Sequence, residues 1–166
     1  MRILKSFQYA IRGIKYCINN ERNMRVHCVA AIYVLIFSYF FELSRIELIM
    51  LILTILSVIA AEMVNTAIEG LSDIFVSEYN AAAKNIKDVA AGAVFVSAVV
   101  SVIVGIILFS DVNAYFRIFN FFCLYPASIV ILGIFTLFSV FYIYYGPVET
   151  INKTKNFFKF NKKNMD

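Results

Sequence analysis

Four stretches of this chain, residues 26–41, 48–61, 89–110 and 118–148, contain no Asp, Glu, Lys or Arg. A bilayer accounts for such runs: crossing its hydrocarbon core in a helix takes about 20 predominantly apolar residues. The last two runs reach that length unaided, and the first two reach it by drawing in flanking polar positions. Lipid offers no water to unpaired backbone groups, so each crossing is expected to be helical. With 61% hydrophobic residues, 16% charged residues and a mean hydropathy of +0.79, the chain is too apolar for an ordinary water-soluble domain. The expectation is an all-α membrane protein.

Residues 1–20 differ from the four runs. Ile3, Leu4, Phe7, Ile11, Ile14 and Ile18 recur at spacings of three and four, with Arg2, Lys5, Arg12 and Lys15 interleaved. That pattern suits an amphipathic helix lying on an anionic membrane surface. It does not read as a cleavable signal, which would place a short apolar core before small residues. Cys17, Cys28 and Cys123 are scattered in or beside apolar segments, in no spacing that suits zinc or a disulfide framework, and read as packing residues.

The basic residues orient the spans. Of the 15 Lys and Arg, only Arg45 and Arg117 fall in the loops after the first and third spans; the others lie before the first span, in the loop at 72–88, or after the fourth. The positive-inside rule therefore puts both termini and the 72–88 loop in the cytoplasm.

The second run ends in an unusual polar segment. Glu62, Asn65, Glu69 and Asp73 are spaced to share one stripe of a helix. A carboxylate in a membrane helix normally faces a partner, a cavity or a cation, because exposure to hydrocarbon is costly. A single Glu could snorkel at a helix end, but three carboxylates and an Asn on one face fit that reading poorly. Glu21-Arg22-Asn23-Met24-Arg25-Val26-His27 precedes the first span, and Lys84-Asn85-Ile86-Lys87-Asp88 precedes the third. The topology places both clusters near the same membrane face as the stripe. Taken alone, Arg22, Arg25, Lys84 and Lys87 are also what interfacial anchors look like. Beside the carboxylates they suggest a polyphosphate site with its divalent cation. His27, the only histidine, reads as a polar interface residue. There is no Gly-x-x-x-x-Gly-Lys-[Ser/Thr] loop or kinase-type glycine-rich loop, so a nucleotide would be held in another way.

At these residues the chain resembles the small bacterial membrane lipid kinases, the prokaryotic diacylglycerol kinase and undecaprenol kinase family. The likeness covers roughly residues 2–110. It rests on Glu21-Arg22-Asn23-Met24-Arg25, the segment from Ala61 through Glu69 with Asp73, Ser77-Glu78-Tyr79-Asn80, and the segment from Ala83 to Val94. The resemblance implies ATP-dependent phosphorylation of the hydroxyl of a membrane lipid, and a homotrimer in the bacterial inner (cytoplasmic) membrane with active sites on the cytoplasmic side. Each subunit would have a surface helix and three membrane helices. By position, Glu62 looks like the general base, and Glu21 and Glu69 like the carboxylates that hold Mg2+ against ATP. Lys87 would contact the phosphates, and Asp88 with Glu78, Tyr79 and Asn80 the nucleoside. Tyr9 matches a nucleotide-side contact, Asn65 and Asp73 match polar residues that shape the site, and Arg2, Arg12 and Arg25 match weaker substrate-side positions. A nucleic acid is not an expected partner.

The Glu-Arg-Asn and Ala-Ala-Gly-Ala-Val forms look more like the undecaprenol kinases, and proteobacterial diacylglycerol kinases tend to carry an acidic residue where this chain has His27. Undecaprenol is thus the favoured acceptor, with diacylglycerol the alternative. The expected organisation is a kinase core at 1–111, an extra hydrophobic segment at 112–148 forming a fourth membrane helix, and a basic cytoplasmic tail at 149–166. Pro126 and Gly133 read as compatible with that helix, and Tyr142, Tyr144 and Tyr145 as an interfacial aromatic belt. A different class, a small transporter or channel subunit whose Glu62, Glu69 and Asp73 line an ion path, accounts for the stripe but not for Glu21, Lys87 and Asp88. An inactive scaffold derived from a kinase would not need the full set of these residues.

Overall fold

In the computed structural model of the chain, residues 2–75 and 80–163 are described, with side chains described for 3–75 and 80–150. About 93% of the described residues are helical. Among the described residues the helices are α1 (Arg2–Asn20), α2 (Arg22–Ser38), α3 (Arg45–Phe75), α4 (Ala81–Leu108), α5 (Val112–Leu124) and α6 (Ala127–Lys163), with a short 3-10 turn at Tyr39–Phe41. Four segments of the described residues are long and apolar enough to cross a membrane: Arg22–Phe41, Arg45–Phe75, Ala81–Leu108 and Ala127–Thr150. Two compact units are distinguishable, His27–Pro126 and the pair Met1–Val26 with Ala127–Asp166.

In the first unit, α3 and α4 pack along one another. The 3-10 turn stops at Glu42, which takes a left-handed conformation (φ 50°) and ends the first span. Ser44 and Glu47 then start α3 as a reciprocal capping box: the Ser44 N–H donates to Glu47 Oε2 (2.8 Å) and the Glu47 N–H donates to Ser44 Oγ (3.3 Å). Asn80 caps α4 by accepting from the N–H groups of Ala82 (2.9 Å) and Ala83 (3.5 Å). Arg117 on α5 donates to the Phe40 carbonyl (2.7 Å) and to Asp111 (2.9 Å), tying α5 to the turn after α2. Phe41 packs edge-on against Phe109 and Tyr115, with ring centroids 4.7 and 5.4 Å away.

Many large apolar side chains, among them Leu53, Phe95 and Ile106, stay exposed. On a soluble domain these would be a liability; in lipid they face a solvent as apolar as themselves.

The uncharged run at 118–148 is not one helix. α5 ends at Leu124, and the span that follows begins at Ala127. Pro126 sits between them instead of inside a helix; its ring disfavours helical geometry at Tyr125, which takes φ −124° and ψ 70°. Gly133 lies within α6 as expected. In the second unit α1 packs on α6, which bends at Gly146 (φ 74°) and Pro147.

Candidate functional site

α3 continues without interruption from the apolar run into the polar stripe, so the spacing of Glu62, Asn65, Glu69 and Asp73 becomes a real helical face. Burial falls along it. Glu62 is 1% exposed and Asn65 is buried, whereas Glu69 is half-buried and Asp73 exposed. The Asn65 amide donates to Glu69 Oε1 at 2.9 Å, while Asn65 Oδ1 is buried with no hydrogen-bond partner among the described residues. Thr66, one turn after Glu62, is also buried, and its hydroxyl donates to the Glu62 carbonyl at 3.0 Å. Sequence reasoning passed over Thr66, although its i+4 spacing from Glu62 places it on the same face.

At the start of α4, Lys87 forms an ion pair with Asp73, which joins the end of the stripe to the second cluster. Its neighbour Asp88 is exposed. Asn80 spends its Oδ1 on the α4 cap. Glu78 and Tyr79 lie outside the described residues, as does the side chain of Arg2.

On another face of α3, α3 and α4 flank an open groove of about 600 Å³, lined by Ala60, Ala61 and Val64 on one side and by Ile86, Ala90 and Ala93 on the other. Its walls are nearly all apolar, and Ala61 directly precedes Glu62.

The other candidates belong to the second unit. Tyr9 and Arg12 are exposed on α1, with the Arg12 guanidinium carbon 5.7 Å from the Tyr9 ring centroid. Glu21 is the single residue between α1 and α2 and is half-buried. Arg25 does not project as a free cation. It is 7% exposed and donates to three backbone carbonyls: Ile18 (3.1 Å), Asn19 (3.0 Å) and Ile143 (3.0 Å). A hydrogen bond to a charged group is worth about 1.5–3 kcal/mol, so this arrangement holds the side chain firmly.

Magnesium needs hard oxygen donors and is usually held by one or two carboxylates together with substrate phosphates. Among the described residues, no three His, Cys, Asp or Glu side chains form a self-contained metal cage. The donors on the stripe nevertheless fit the ion: a half-buried Glu69 carboxylate stands one turn from a buried amide oxygen, Asn65 Oδ1, that accepts no hydrogen bond among the described residues.

Together these features define a multi-pass α-helical membrane protein with a buried carboxylate at the inner end of a polar stripe. The prokaryotic diacylglycerol kinase family model matches residues 8–109. The undecaprenol kinase of Bacillus subtilis (strain 168) is 44% identical over 108 residues, which are 65% of this chain and 88% of that protein. A diacylglycerol kinase of Synechocystis sp. (strain PCC 6803) is 38% identical over 104 residues, 62% of this chain and 59% of that protein. The diacylglycerol kinase of Escherichia coli (strain K12) is 30% identical over 107 residues, 64% of this chain and 88% of that protein. The chain belongs to the prokaryotic diacylglycerol kinase family and is a lipid kinase.

Proposed function

We propose that this kinase transfers the γ-phosphoryl group of ATP to undecaprenol, giving undecaprenyl phosphate. The observation that carries the reading is Glu62, a carboxylate 1% exposed within an apolar span. A group so placed meets a hydroxyl that arrives from the bilayer, not from water. In the proposed reaction Glu62 accepts the hydroxyl proton as the alcohol oxygen bonds to the γ-phosphorus, and the bond from that phosphorus to the β–γ bridging oxygen breaks to release ADP. Asn65 orients Glu69, which with Glu21 is the proposed carboxylate pair for magnesium. Bound magnesium supplies charge neutralisation on the phosphates. Lys87, released from Asp73, adds a cation to the same phosphates, and Asp88, Tyr9 and the 78–80 stretch serve the nucleoside side.

The greater identity to the Bacillus undecaprenol kinase, 44% against 30–38% for the diacylglycerol kinases, supports the polyprenol over the diglyceride. The proposed setting is the bacterial inner membrane, as a homotrimer with the site facing the cytoplasm. Purified protein given labelled ATP and equal amounts of undecaprenol and diacylglycerol in mixed micelles tests the assignment. Undecaprenyl phosphate should dominate. A larger kcat/KM for diacylglycerol would reassign the acceptor, and no labelled lipid would remove the reading.

A further inference from the structure

The carbonyl of Ile143 lies four residues before Pro147, where a regular helix would pair it with an N–H that proline lacks. Arg25 Nε fills that place at 3.0 Å. The same guanidinium turns its Nη1 to the Ile18 and Asn19 carbonyls in the last turn of α1, where carbonyl groups have no intrahelical donor and a cation is favoured. Gly146 completes the fit. Its φ of 74° is a conformation that L side chains rarely adopt, and a Cβ there would stand 3.2 Å from Arg25 Nη1. Just beyond the bend, the buried Thr150 hydroxyl donates to the Gly146 carbonyl at 2.6 Å.

We infer that Arg25 is a positioning residue: it fastens the α1–α2 joint, which carries Glu21, to the bend of α6. The inference rests on the proposed placement of Glu21 at magnesium and nucleotide. It gives a role to residues beyond the family match, which ends at 109. Ile143, Gly146 and Pro147 form a socket, and the guanidinium fork is its plug. The socket explains why Arg25 is buried, whereas a cation that only anchors the chain to a membrane surface has no need of three carbonyls. Glu21 itself is held from both sides, its N–H donating to Cys17 O (2.8 Å) and its carbonyl accepting from the Arg25 N–H (3.4 Å). Displacing the guanidinium frees the last turn of α1 and lets the Glu21 carboxylate wander.

The test uses the full chain with Cys28→Ala and Cys123→Ala, which leaves Cys17 as its single thiol, buried one residue before Ile18. Gly146→Ala crowds the socket while leaving Arg25 itself unsubstituted, and Arg25→Lys keeps the charge but loses the planar fork. Both should speed labelling of Cys17 by a water-soluble maleimide. Both should also raise KM for ATP and the half-saturating magnesium concentration by about tenfold, the order expected for one lost hydrogen bond to a charged group. KM for the lipid should stay unchanged. A side chain that only supported folding would lower the yield of folded enzyme and leave these constants alone. Cys17 protected in both variants overturns the clamp, as does an effect of Arg25→Lys on lipid KM that Gly146→Ala does not share. Glu21→Ala is measured alongside. If that variant leaves ATP and magnesium dependence unchanged, the placement of Glu21 has failed, and the Cys17 labelling alone decides the clamp.

Discussion

The side-chain amide of Asn65 reaches one turn along α3 and donates to Glu69 Oε1 at 2.9 Å. That bond fixes the direction in which the carboxylate points, and in the proposed site the other Glu69 oxygen is the one that would meet the cation. Asn65→Ala removes the donor and leaves Glu69 to adopt other rotamers. The expected result is a rise of about tenfold in the magnesium concentration for half-maximal turnover, the order of one charge-assisted hydrogen bond, with the kcat at saturating magnesium much less affected. Magnesium titration of the initial rate checks it; an unchanged midpoint would detach Asn65 from the metal.

Lys87 on α4 pairs with Asp73 on α3. Both side chains are substantially exposed, so the pair is worth no more than about 1 kcal/mol to folding. In the proposed site its value is different, since Asp73 would hold the ammonium group where a phosphate can take it over. Asp73→Asn should therefore change the thermal midpoint little. Lys87→Met should raise KM for ATP well beyond what Asp73→Asn does. Equal and small effects of both on KM would make the pair an interfacial contact and nothing more.

Thirteen of the 15 basic residues fall on one side of a four-span topology, and the positive-inside rule then predicts that both termini are cytoplasmic. Single cysteines introduced on either side of the Ala127–Thr150 span, at 125 and 152, should label from opposite faces of sealed vesicles in a chain otherwise free of cysteine. Labelling of both from one face would show that this helix does not cross.

The membrane helices were legible because absence of charge is a one-dimensional signal, and a span needs nothing more. The stripe from Glu62 to Asp73 was legible for a similar reason, since helical spacing converts sequence into a face without tertiary information. Pro126 was visible too, but a proline within a long apolar run is compatible with either a kinked span or a break. Here α5 is capped by Asp111 and tied down by Arg117, and the chain breaks. What the sequence could not show was Arg25. Its bond to Ile143 links positions 118 residues apart, and no spacing rule connects a cation to a carbonyl that a distant proline has left without its donor. A basic residue ahead of a span looks the same whether it meets lipid phosphate, nucleotide or backbone.

Glu62 carries the heaviest functional claim and the sharpest prediction. It is the most buried acid of the stripe, with the Thr66 hydroxyl on its carbonyl. Glu62→Gln keeps size and polarity and removes the proton acceptor. Assembly and ATP binding should persist while kcat falls by about 10²–10⁴-fold, the range that general-base catalysis contributes. Glu62→Asp keeps the carboxylate but withdraws it by one methylene, so it should retain more turnover than Gln if proton transfer is what matters. A purely architectural Glu62 predicts another order: Gln, the closer isostere, would be tolerated better than Asp, and both would show their damage first in thermal midpoint and oligomer yield. Measuring kcat per folded protein together with the melting midpoint for both variants separates the two. If the Gln enzyme turns over at the wild-type rate once corrected for folded protein, the base lies elsewhere on the chain, with Asp88 and Glu69 the next carboxylates to test.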